Sequence, residues 1–188
     1  MSRLPLAILT EHSPSPAVAK GEGLGWLNRL LGSRTSDPSP SFDALQPGDE
    51  VWSGGQPWQV TAVLTYKNAE GTWPVVRIQQ ALTTAWTSVE DDRPVRYDHL
   101  DLHVGGDGRA VWNGRAYTRQ EVGTARIEQV VGDVDARPGD TLSYQVLRSP
   151  DDAQAWISVE TWAGGFVEVS VGRPWPVDKL VAQRERRA

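Results

Sequence analysis

The hexapeptide Ala85-Trp86-Thr87-Ser88-Val89-Glu90 returns later in the chain as Ala155-Trp156-Ile157-Ser158-Val159-Glu160. Upstream of each copy stands a Val-Trp pair before a glycine turn. One is Val51-Trp52-Ser53-Gly54 followed by Trp58, the other Val111-Trp112-Asn113-Gly114 followed by Tyr117. A degenerate duplication of this kind constrains architecture before any single motif does, because it demands two like units packed together. Nothing in it specifies a reaction.

The units read as strands. Trp58, Val60, Ala62, Leu64 and Tyr66 alternate with polar neighbours apart from Val63, and Leu142, Tyr144 and Val146 alternate likewise. Further strand patterns are Trp73 to Leu82, Val95 to Val104, Ala116 to Val131 with a bend near Gly123, and Val167 to Val171. Pro47-Gly48-Asp49 and Pro138-Gly139-Asp140 are turns of the same chemistry: Pro presets the first central angle and Gly supplies the positive φ. About ten short strands with turn signals between them predict an all-β domain. The predicted arrangement is two pseudo-repeated antiparallel units forming one barrel or sandwich over 45–181, with halves at about 45–104 and 109–181 and a tail at 182–188.

Residues 1–44 read as a flexible segment carrying one short amphipathic helix near 24–31. Leu24, Leu27 and Leu31 fall at helical spacing, and Trp26 and Leu30 widen the stripe. So short a helix is marginal alone. It is expected to dock, on its own domain or, through residues 23–32, on a protein partner or anionic membrane surface.

Composition removes several functions. The chain has no cysteine, which excludes disulfides, thiolate metal sites and cysteine nucleophiles. A formal charge of −5 argues against nucleic acid as a partner. No apolar run approaches the ~20 residues of a spanning helix, and the start is a poor secretory signal, interrupted by Pro5 and followed at once by Glu11 and His12. The expected location is cytoplasmic, peripheral to the inner membrane.

Candidate chemistry is sparse. With only His12, His99 and His103 present, no histidine-dependent serine nucleophile is supported. On a strand, His99, Asp101 and His103 would share one face and could offer a metal two imidazoles and a carboxylate, against the simpler reading of an exposed polar face. The repeated Trp-x-Ser-x-Glu puts Trp86 and Glu90 on one strand face, and Trp156, Glu160 and Trp162 on another. The opposite face, Ala155, Ile157 and Val159, is the expected core side. Aromatic rings beside carboxylates suit a cationic ligand. Simple packing between two sheets competes with that reading.

The chain resembles the bacterial family known as domain of unknown function 4178. The resemblance rests on Leu45-Gln46-Pro47-Gly48-Asp49, Val51-Trp52 with Gly55 and Trp58, the Trp86–Glu90 segment, and Gly123-Thr124-Ala125. It continues in the Trp156–Glu160 segment and in Glu168-Val169-Ser170-Val171-Gly172-Arg173. It implies an all-β domain of two related halves with no catalytic residue and no cofactor to carry over. The genomic company of the family, membrane-stress proteins and polyamine-synthesis-like enzymes, implies an accessory or adaptor role at the cytoplasmic membrane surface, in a membrane-stress system. The alternatives are a binding domain for a polyamine-like cation at the Trp/Glu face, and a metal-dependent enzyme at His99 and His103.

Overall fold

The computed structural model describes residues 41–183. After a 3-10 turn at Phe42–Ala44 come eleven strands: β1 (Glu50–Ser53), β2 (Gln56–Lys67), β3 (Thr72–Gln80), β4 (Thr83–Glu90), β5 (Arg93–His99), β6 (Arg109–Trp112), β7 (Arg115–Gly132), β8 (Thr141–Ser149), β9 (Asp152–Trp162), β10 (Val167–Pro174) and β11 (Lys179–Val181). All pairings are antiparallel. β2, β3, β4, β5, β10, β9, β8 and β7 form a ring that β7 closes by pairing with β2. Of the two architectures expected, the chain folds as the barrel, which leaves its eight ring strands without a free edge.

The two halves meet in a symmetric register. In β5 against β10, Tyr97 faces Gly172, Ser170 faces His99 and Val95 faces Pro174. Trp86 pairs with Arg77 and Tyr97, just as Trp156 pairs with Arg148 and Gly172. The hexapeptides are therefore true structural equivalents, as are Glu90 and Glu160. The Val-Trp pairs are not. Both hairpins turn on two residues of positive φ, Gly54-Gly55 and Asn113-Gly114, as two-residue primed turns require. Val51 then opposes Trp58, but Ala110 opposes Tyr117. The second motif is thus slipped by one residue, and one residue changes the face: Val51 is buried and Val111 is exposed.

Two bulges let single strands serve two cores. In β2 the register shifts between Val60 and Ala62, and in β7 between Arg119 and Glu121. Before the first bulge, Trp58 and Val60 pack with Val76, Ile78 and Ala85 outside the barrel; after it, Leu64 and Tyr66 point into the lumen with Ala125, Ile127 and Leu142. An extra residue reverses the side-chain alternation across the pleat.

Each outer cluster is completed by the other half. Trp175 and Leu180, from the end of the chain, fill the cluster of Val51, Trp58 and Ile78. Leu100, Leu102 and Val104, from the end of the first half, cover Tyr117, Leu147 and Ile157. The two proline turns, used at different places, have the same build: Gly48 and Gly139 both sit at φ +98°. Asp49 and Asp140 each accept from the backbone N–H three residues earlier, at 2.9 and 2.8 Å.

Candidate functional site

The Trp/Glu face looks into the barrel. Ile157 and Val159 do face a core, as expected, but it is the outer cluster. The opposite side of the same strand bounds a lumen cavity of about 330 Å³. The chain thus has two kinds of core, and the face turned away from the outer one lines the lumen.

Aromatic walls come from Tyr66 on β2, Trp73 on β3, Trp86 on β4, Tyr97 on β5, Tyr144 on β8 and Trp162 on β9. Tyr66 and Trp73 meet edge to face with ring centres 5.8 Å apart. Among them stand Glu70, Glu90, Glu121, Glu160 and Glu168, against one basic lining residue, Arg148. The cavity is therefore acidic by five carboxyl groups to one guanidinium.

Burial shifts three of these acids, Glu90, Glu160 and Glu168. Glu160 is pushed up to about 7, first by loss of water and then by the neighbouring Glu168 carboxylate, with the Tyr66 hydroxyl partly offsetting both. The two glutamates are direct partners across β9 and β10. Glu90 is likewise raised to about 7 by desolvation, which Arg148 opposes and Asp91 and Glu121 reinforce. Glu168 is raised by desolvation and held back by His99, Arg77 and the Trp86 indole N–H. Glu160 alone of these three has no basic group among the causes of its shift.

The structure brings Trp86, Glu90, Glu160 and Trp162 to one cavity but leaves Trp156 out of its lining. Trp156 is buried behind it, edge-on to Tyr97 at 6.2 Å, with the Arg148 guanidinium 4.9 Å above its ring. It positions two lining side chains. Close approach to Gly172 makes this possible, since a Cβ there would lie 2.6 Å from Trp156 Nε1 and 2.7 Å from the Tyr97 ring. Glu121, Glu168 and Arg148 were not singled out beforehand. Glu168 was readable from the alternation of β10; Glu121 was hidden because the bulge beside it resets the period.

The proposed metal triad does not form. β5 ends at His99, so Asp101 and His103 lie beyond the strand whose pleat was to align them. Among the described residues no group of three or more His, Asp or Glu could hold a metal ion. Leu100, Leu102 and Val104 keep their alternation by packing on the second outer cluster. The apolar island, Leu24, Trp26, Leu27, Leu30 and Leu31, lies outside the described residues. No helix among those residues is long and apolar enough to cross a membrane.

Residues 46–177 match the family described as domain of unknown function (DUF4178), a span that takes in the whole barrel. The chain belongs to the DUF4178 family. No curated protein and no solved structure matches it. Within this DUF4178 domain, Trp86, Glu90 and Glu160 of the repeats and the added Glu121 and Glu168 define the site.

Proposed function

We propose that the DUF4178 barrel binds a small organic cation of polyamine-like chemistry in its lumen, and that it acts by binding and not by catalysis. The observation that carries this reading is the cavity itself, with aromatic walls on several sides and five carboxyl groups to one guanidinium. An ammonium among such rings gains cation–π attraction at each face, worth ~0.5–2 kcal/mol depending on desolvation. A carboxylate adds a charge-assisted hydrogen bond.

Glu160 is the best anchor. Glu168 already has Arg77, His99 and the Trp86 N–H around it, whereas Glu160 has the Tyr66 hydroxyl. A bound cation would supply the missing counter-charge. Titrating spermidine into the protein should shift tryptophan emission, and the shift should disappear in the double variant Glu90→Gln, Glu160→Gln. A flat titration of the unaltered protein refutes the proposal.

An adaptor role at the membrane surface rests on a separate observation, the apolar island of residues 24–31 in the sequence. It is compatible with a ligand-binding barrel. Flotation with anionic vesicles decides it: the full chain should float and residues 45–188 should not.

A further inference from the structure

A second cavity, of about 810 Å³, adjoins the first at the other end of the barrel. The two share Trp86, Tyr97, Trp162 and Glu168 as walls. Beyond that shared collar the second cavity carries Asp133, Asp135 and Asp140 from the β7–β8 connection, facing Arg77 and His99. Asp140 is occupied with the backbone of Arg137, and Arg77 donates to the Asp133 backbone carbonyl, not to its carboxylate. The side chains of Asp133 and Asp135 form no hydrogen bond or ion pair among the described residues.

Acidic groups therefore recur from one mouth to the other. Glu70, Glu90, Glu121 and Glu160 line the first cavity, Glu168 belongs to the collar shared by both, and Asp133 and Asp135 line the far chamber. From Ser158 to Trp162, the stretch of β9 that lines the lumen, the strand advances four residues, ~13 Å of strand and roughly 10 Å along the axis of a barrel with ordinary strand tilt. The aromatic rings between the carboxyl stations offer apolar surface where the cation needs none of its charge met. The Glu160 carboxyl lines the first cavity beside its strand partner Glu168, which belongs to the shared collar, and it has no basic partner.

We propose that the two cavities form one path, and that the ligand is a linear polyammonium chain threaded through it with its charges at successive acidic stations. This inference rests on the lumen reading above and adds length and charge number to it. A compact or singly charged cation would use one station and gain nothing from the others. A chain with ammonium groups at intervals along apolar methylenes suits carboxyl groups that recur through both cavities with aromatic rings among them.

Calorimetric titration of the full chain with propylamine, 1,4-diaminobutane, spermidine and spermine tests it. Affinity should rise about tenfold with each added ammonium, the increment of one charge-assisted contact. The variant Asp133→Asn, Asp135→Asn should weaken spermine about tenfold and leave 1,4-diaminobutane within about twofold of its original affinity. If all four amines bind alike, or the variant weakens all of them equally or none, threading is wrong while the lumen site stands. If Glu160→Gln leaves spermine binding unchanged, the amine adsorbs to the surface and the inference fails. If no amine binds at all, both readings fall together.

Discussion

Replacing Glu160 by Gln should stabilise the folded protein at alkaline pH. The carboxyl group is raised from 4.5 to about 7 by burial and by Glu168. At about 1.36 kcal/mol per unit, that rise corresponds to roughly 3 kcal/mol of cost for holding the charged form in the lumen. Water in the cavity screens part of it, so a gain of about 2–3 kcal/mol is expected at pH 8. The sign follows from linkage. The native state binds the proton more tightly than the unfolded chain, so stability is greatest below about pH 4.5 and is lost as pH rises toward 7. A Gln is neutral throughout and keeps the contact with Tyr66. Urea denaturation of both proteins at pH 8 and pH 4.5 should show the gap open at the first and close to under about 0.5 kcal/mol at the second. Equal stability at pH 8, or a gap that does not change with pH, would refute the assignment of Glu160 to a desolvated, like-charged site.

Cation affinity should fall as pH drops below about 7, because Glu90 and Glu160 must lose their protons to meet the ligand; calorimetry in buffers of different ionisation heat should detect proton release on binding near pH 6.5, and none would count against these two acids as anchors. Gly172→Ala should cost about 1–3 kcal/mol, since the added methyl overpacks against Trp156 and Tyr97, and should weaken amine binding by displacing Tyr97 and Arg148, whereas Gly106→Ala, with open space around it, should leave both unchanged. Gly132→Ala attacks the closure of the ring: its φ is +101° and its Cβ would collide with the Thr61 carbonyl where β7 meets β2, so faster hydrogen exchange along Ala62–Lys67 is expected than elsewhere in the sheet. Removing residues 175–183 strips Trp175 and Leu180 from the cluster around Trp58 and should lower the stability of the first half by several kcal/mol, read as a drop in the urea midpoint.

Much of this architecture was legible in the sequence because it rests on local chemistry. Alternation along β2 and β8, the primed turns at Gly54-Gly55 and Asn113-Gly114, and the matching proline turns all act within a few residues. Their repetition announced two equivalent units, and the Trp-x-Ser-x-Glu copies fall at equivalent places on β4 and β9. What local pattern could not decide was where a face points once the sheet closes. Two bulges reverse the alternation, so Val60 and Leu64, both apolar and both even-numbered, serve an outer and an inner core. The same device brings Glu121 into the lumen beside Glu90 and Arg148, although no motif joins them. Closure of β7 on β2 then converts a Trp/Glu surface into an enclosed cavity, and enclosure is what raises the carboxyl pKa values. The duplicated sequence determined the strands and their division into two like units; only the closed barrel, through the pairings of β5 with β10 and β7 with β2, enclosed their acids in one cavity.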